Sequence, residues 1–81
     1  MNLYLISQEE YSSYDTFDSA VVCVENEEAA RNIHPYANAT GPVYPGHGSW
    51  CTSPDKVTVQ CLGEAVAGTP RGVICSSFNA G

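Results

Sequence analysis

Positive charge is what this chain of 81 residues has least of: three Lys and Arg in all stand against nine Asp and Glu, for a formal net charge of -6. None of the three cations falls in residues 1–28, where Glu9, Glu10, Asp15, Asp18, Glu25, Glu27 and Glu28 are gathered. The remainder holds Asp55 and Glu64 against Arg31, Lys56 and Arg71, so one part of the chain is an anion and the other is nearly neutral. Such a field repels phosphate backbones and anionic lipid headgroups, which excludes nucleic acid and membrane surfaces as expected partners and favours a basic surface on another protein. The same acids would also serve simply to keep a small domain in solution.

Long apolar runs are missing as well. No stretch approaches the ~20 apolar residues that cross a bilayer, and the opening MNLYLIS has no basic segment ahead of an apolar one. Both features point to a cytoplasmic protein. Thiols stay reduced in that compartment, so the four cysteines speak for buried, inert side chains rather than a disulfide framework, and the sequon at Asn38-Ala39-Thr40 carries no meaning there.

Close pairs of metal ligands are absent too: there is no C-x-x-C, and His47-x3-Cys51 is the one plausible half-site for zinc. No metal and no cofactor is expected. The glycine-rich GHGSW, residues 46–50, lacks the lysine and the Ser/Thr that follows it in a phosphate loop, and it does not sit between a strand and a helix. Cys51, beside Trp50, is the best nucleophile the chain offers, yet no base is specified for it. His34 is better explained as a cation at a helix C-terminus and His47 as a loop residue. No catalytic residue is assigned.

What the chain does have is enough apolar material to fold, at 43% of residues with eight aromatics. Residues 2–7, NLYLIS, alternate with period 2 and read as a first strand. SAVVCVE, residues 19–25, is β-branched and nearly continuous in apolar character, as suits a central strand. Asn26 is placed to cap a helix over about 27–34, with Glu27 and Glu28 in its first turn and Pro35 as its stop. Residues 35–54 hold four of the five prolines with Gly41, Gly46 and Gly48, and read as one long loop. A third strand follows in KVTVQCL, residues 56–62, half-buried by its alternation, and a fourth opens at Gly72-Val73-Ile74-Cys75. The order β-β-α-β-β predicts a single α+β domain over 1–81, a two-layer sandwich of a small, mostly antiparallel sheet with one short helix on one face.

Between the first two strands lies YSSYDTFDS, residues 11–19, three rings and two carboxylates in nine residues. Such a stretch can cover a sheet edge while its acids make local turn bonds. It can also bind. Glu9, Glu10, Tyr11, Tyr14, Asp15, Phe17 and Asp18, joined by Trp50 from the long loop, form the candidate partner-binding set: rings as anchors and carboxylates as a rim for a basic protein.

The opening MNLYLISQ, the run YDTFDSAVV leading into ENEEAARNIHP, the segment SPDKVTVQCLGEA and the terminal GVICSSFNAG together resemble a group of small proteins of tailed phages and prophages. The resemblance spans most of the chain, with residues 36–50 the most individual part, and carries no assigned activity. It implies a context, the cytoplasm of an infected bacterial host, in which small acidic proteins act by binding host or phage proteins, anti-CRISPR inhibitors of host defence among them. The leading expectation is therefore a non-catalytic accessory protein. The alternatives are a structural or assembly component that self-associates through a strand edge and Trp50, and an enzyme using Cys51 or a metal.

Overall fold

A computed structural model describes residues 1–9, 16–35, 50, 51 and 53–79. Four strands, β1 (Asn2–Ser7), β2 (Thr16–Val24), β3 (Thr58–Glu64) and β4 (Gly72–Asn79), form one antiparallel sheet in the order β3-β1-β2-β4. One short helix, α1 (Glu27–Arg31), packs against β1, β2 and β3, and a 3-10 turn at Pro54–Lys56 leads into β3. The molecule is thus a small α+β domain.

Side-chain alternation decides which side of the sheet the helix takes. On β1, Tyr4 and Ile6 are buried while Leu3, Leu5 and Ser7 are only partly covered. On β2, Ala20, Val22 and Val24 point the same way as Tyr4 and Ile6, because Tyr4 pairs with Val22 and Ile6 with Ala20. This inner face meets Ala30 and Ile33, with Trp50, Cys51 and Val57 closing the core. Ile6, Val22, Val24, Ala30 and Trp50 are fully buried. Each large apolar side chain so placed contributes roughly 1.5–3 kcal/mol.

The helix forms where its cap predicts. The Asn26 side chain accepts from the Ala29 N–H at 2.8 Å, Glu27 and Glu28 meet the positive end of the dipole, and Arg31 stands in the last turn. It ends at Arg31, short of the expected residue 34. Asn32 closes it: its backbone N–H bonds Glu28 O and Ala29 O, and its side chain donates to Glu28 O at 2.8 Å, so the final carbonyls are satisfied before Pro35 is reached. Five residues make a weak helix in isolation. Its hold comes from Ala30 in the core and from Arg31, which bonds Glu27 at 3.1 Å and also donates from Nη1 to Val57 O, tying the helix to the approach of β3.

Other boundaries move for similar reasons. β2 starts at Thr16, ahead of the expected residue 19, because β4 runs on to Asn79 and pairs with it over that length. β3 starts at Thr58 because the 3-10 turn, closed by Lys56 N–H to Ser53 O and Val57 N–H to Pro54 O, occupies the residues before it. The half-burial expected for β3 is largely lost. It is an edge strand on which Val59 is partly covered, while Thr58, Gln60, Cys61 and Leu62 are exposed. A register shift between its pairings Tyr4–Cys61 and Leu3–Gly63 marks a bulge at Leu62, and Gly63 beside it has φ +130°, a conformation L side chains rarely adopt. Most of the predicted loop 35–54 lies outside the described residues.

Candidate protein-interaction surface

The expected binding set begins where β1 and β2 separate. Gln8 extends the pairing one step beyond β1: its N–H donates to Asp18 O at 3.2 Å and its side-chain Nε2 to Phe17 O at 2.8 Å. Gln8 is itself buried, so this end of the hairpin is fixed from within. Glu9 leaves it exposed, with no ion-pair partner among the described residues. Asp18 is partly exposed and sits where the β2–β4 register slips, Phe17 opposing Phe78 and Ser19 opposing Ser77. Phe17 is partly buried and packs against the core, so its ring serves the fold first. Glu10, Tyr11, Tyr14 and Asp15 lie outside the described residues.

Trp50 is placed differently from the expectation. It is fully buried, its ring centroid 6.5 Å from that of His34 at a tilt of 57°, and it is a core residue with no surface to offer a partner. The indole belongs to the same core cluster as Tyr4, Ile6, Val22, Ala30 and Ile33. Its Nε1 has no hydrogen-bond partner among the described residues. His34, expected as a cation at the helix C-terminus, is 1% exposed beside it and lies beyond the helix, which ends at Arg31.

The other acidic group lies at the opposite end of β2, and here the protein answers its own charge. Arg71 Nε donates to both carboxylate oxygens of Glu25, at 2.9 and 3.1 Å, and Arg31 holds Glu27. The Arg71 hydrogen bond is the main reason the Glu25 carboxyl is held below its ordinary range, a bond from its own backbone N–H helping, and Glu25 in return raises the Arg71 guanidinium. Both arginines of the chain are therefore engaged by acids of residues 25–27. Glu9 forms no ion pair among the described residues, although Lys56 stands two residues before Thr58, the partner of Ser7.

The cysteines divide in a way the sequence did not suggest. Cys23 and Cys51 are buried, the latter with Sγ 3.4 Å from Ser53 O, while Cys61 and Cys75 are exposed on the two edge strands; none of the four is in a disulfide. Burial of all four as inert thiols is thus corrected for two of them, because β3 and β4 lie at the edges where one flank has no neighbour. Cys51 is 2% exposed and out of reach of a substrate in this arrangement. His47 lies outside the described residues, and no cluster of three potential metal ligands occurs among those described. No helix among them is long and apolar enough to cross a membrane.

One surface went unnoticed in the sequence. The side of the sheet away from the helix carries a shallow hollow of about 180 Å³ lined by Leu5, Ser19, Val21, Cys75 and Ser77, with Ala20 and Ser76 at its backbone. The signal was there in the odd positions of β1 and β2, Leu3, Leu5, Ser7, Ser19, Val21 and Cys23, which hold no charge at all.

Compared with known proteins, the chain matches no family model, no curated protein and no solved structure.

Proposed function

We propose that this is a non-catalytic accessory protein of a phage or prophage that acts by binding a protein with a basic surface, in the manner of a small inhibitor of a host enzyme or host defence. Its contact surface is the acidic, aromatic end of the β1–β2 hairpin, with Glu9, Glu10, Tyr11, Tyr14, Asp15 and Asp18 as contacts and Phe17 as the ring that anchors this end to the core. Trp50 has no part in it. The observation that carries the reading is the distribution of internal ion pairs: Arg71 and Arg31 are committed to Glu25 and Glu27, while exposed Glu9 at the hairpin end forms no ion pair among the described residues. Like charges left together on a domain this small cost stability, and a cationic partner relieves that repulsion while steering the encounter.

The test is capture of the partner on the tagged protein at low and high salt, followed by titration of the purified pair. Binding that weakens as salt rises, and is abolished by Glu9→Lys, Glu10→Lys, Asp15→Lys and Asp18→Lys together with an unchanged circular dichroism spectrum, agrees with the proposal. Binding that survives both the four substitutions and high salt refutes it.

A further inference from the structure

The helix covers one face of the sheet; the opposite face is built as though for an occupant. Its apolar rows run across the central strands: Leu3 beside Cys23, where Cys23 is already fully buried, and Leu5 beside Val21, with Cys75 of β4 continuing this second row into the open part of the face. Leu3, Leu5 and Val21 are only partly covered, although they sit on the two central strands. Leu62 and Ile74, at the bulges on the two edges, remain 48% and 47% exposed. At the hairpin end the face finishes in hydroxyls, since Thr58 pairs with Ser7, Ser7 with Ser19 and Ser19 with Ser77.

Two features of this face select its occupant. The first is charge: no residue that the register places here is charged, in a chain whose net charge is -6. A basic partner finds nothing to pair with, whereas a second anionic copy finds a broad surface on which two such molecules meet without opposing their acids. The hydroxyl row supports this, because each hydroxyl both donates and accepts and can pair with its own symmetry mate. The second is area. Four strands about 4.8 Å apart and six to nine residues long give a face of roughly 500 Å², so two copies stacked about 10 Å apart remove on the order of 1,000 Å². That total is the lower limit of a specific interface and corresponds to a weak, reversible pair.

We infer that the uncovered sheet face is the contact of a homodimer, two copies packing sheet on sheet across a two-fold axis with the Leu5–Val21–Cys75 hollow near its centre.

The two exposed thiols supply an internal control. Cys75 lies in the hollow, whereas Cys61 pairs with Tyr4 and belongs to the helix side of an edge strand. Under reducing conditions, alkylation of Cys75 is expected to slow as protein concentration rises from about one micromolar to several hundred, with Cys61 unaffected, in step with a rise in sedimentation mass from 8.6 kDa towards twice that value. Ser77→Glu, an exposed edge-strand position, keeps the fold by circular dichroism and weakens association roughly tenfold or more, since the symmetry sets two like charges against each other. Val21→Asp, nearer the centre, does so more strongly. A monomer at several hundred micromolar with both thiols equally reactive overturns the inference. So does a dimer indifferent to Ser77→Glu, which uses another surface, or a Cys75 shielded at every concentration, which is covered by its own chain.

Discussion

Replacing Trp50 separates two contributions that one buried indole combines. A tryptophan that leaves water completely removes about 150–250 Å² of surface, which at ~25 cal/mol per Å² is worth about 4–6 kcal/mol. A domain of 81 residues has a total stability of roughly 4–12 kcal/mol. Trp50→Ala leaves a cavity in the core cluster, beside the His34 ring, and is expected to cost about 3–5 kcal/mol, enough to leave much of the protein unfolded at 37 °C. Trp50→Phe should behave quite differently. It gives up only about 50 Å² of contact, near 1 kcal/mol, and it also removes a sealed N–H without an acceptor among the described residues, a group whose desolvation costs about 1–3 kcal/mol. The two changes nearly cancel, so Trp50→Phe should lie within about 1 kcal/mol of the parent. Urea unfolding followed by far-ultraviolet circular dichroism measures both variants. Because Trp50 is the single tryptophan, its emission in the parent must also be that of a buried indole shielded from acrylamide. Equal and large losses for the two variants would show that the N–H has an acceptor, and an emission quenched as freely as in the unfolded chain would show that the ring is not in the core.

Two other perturbations test the local physics. Asn26→Ala removes the side-chain acceptor for the Ala29 N–H and should cost about 1 kcal/mol, whereas Asn26→Ser, which keeps an acceptor, should cost a few tenths; equal losses would argue that the cap does not act through this bond. The Glu25 carboxyl is held below its ordinary value in the folded state, so its contribution to stability is present above about pH 4.3 and fades as the pH falls through the lower, folded value. Glu25→Gln should therefore lower the melting temperature slightly at neutral pH and low salt, and the difference from the parent should vanish in acid and in ~1 M salt, where the exposed pair is screened. A difference that persists under both conditions would place the effect in packing instead of charge.

The sequence announces what is local. The alternation of NLYLIS, the apolar run through Val21–Val24 and the placement of Asn26 ahead of two glutamates are sufficient to place β1, the core of β2 and the start of α1, because each depends only on neighbouring residues. What lies beyond reach is set by partners distant in the chain. Thr16–Asp18 join β2 because residues beyond 75 pair with them, and those residues carry little strand signal of their own. Whether an alternating segment is half-buried depends on its rank in the sheet, which is why the pattern of KVTVQCL suggests covered cysteine and leucine while the edge leaves both exposed. An aromatic in a segment rich in proline and glycine is equally ambiguous, and Trp50 joins the core beside the His34 ring, a placement set by residues distant in the chain. At the candidate surface, charge could be counted from the sequence; the pairing of Glu25 with Arg71 across forty-six positions could not.

The sheet order also fixes how the chain must find its structure. The two central strands are joined by a short hairpin, but each edge strand pairs with a partner from which it is separated by roughly fifty residues, Ser7 with Thr58 on one side and Cys23 with Gly72 on the other. Closing a segment of that length costs about 1.5 kcal/mol more entropy than closing the hairpin, and neither edge gains anything until it is closed. The β1–β2 hairpin therefore forms first and waits, with both its edges and both its faces open to solvent, for strands that the ribosome delivers later. During synthesis the protein passes through a sticky half-sheet, and the acids packed into its first twenty-eight residues are in place from the start to keep such half-made copies apart.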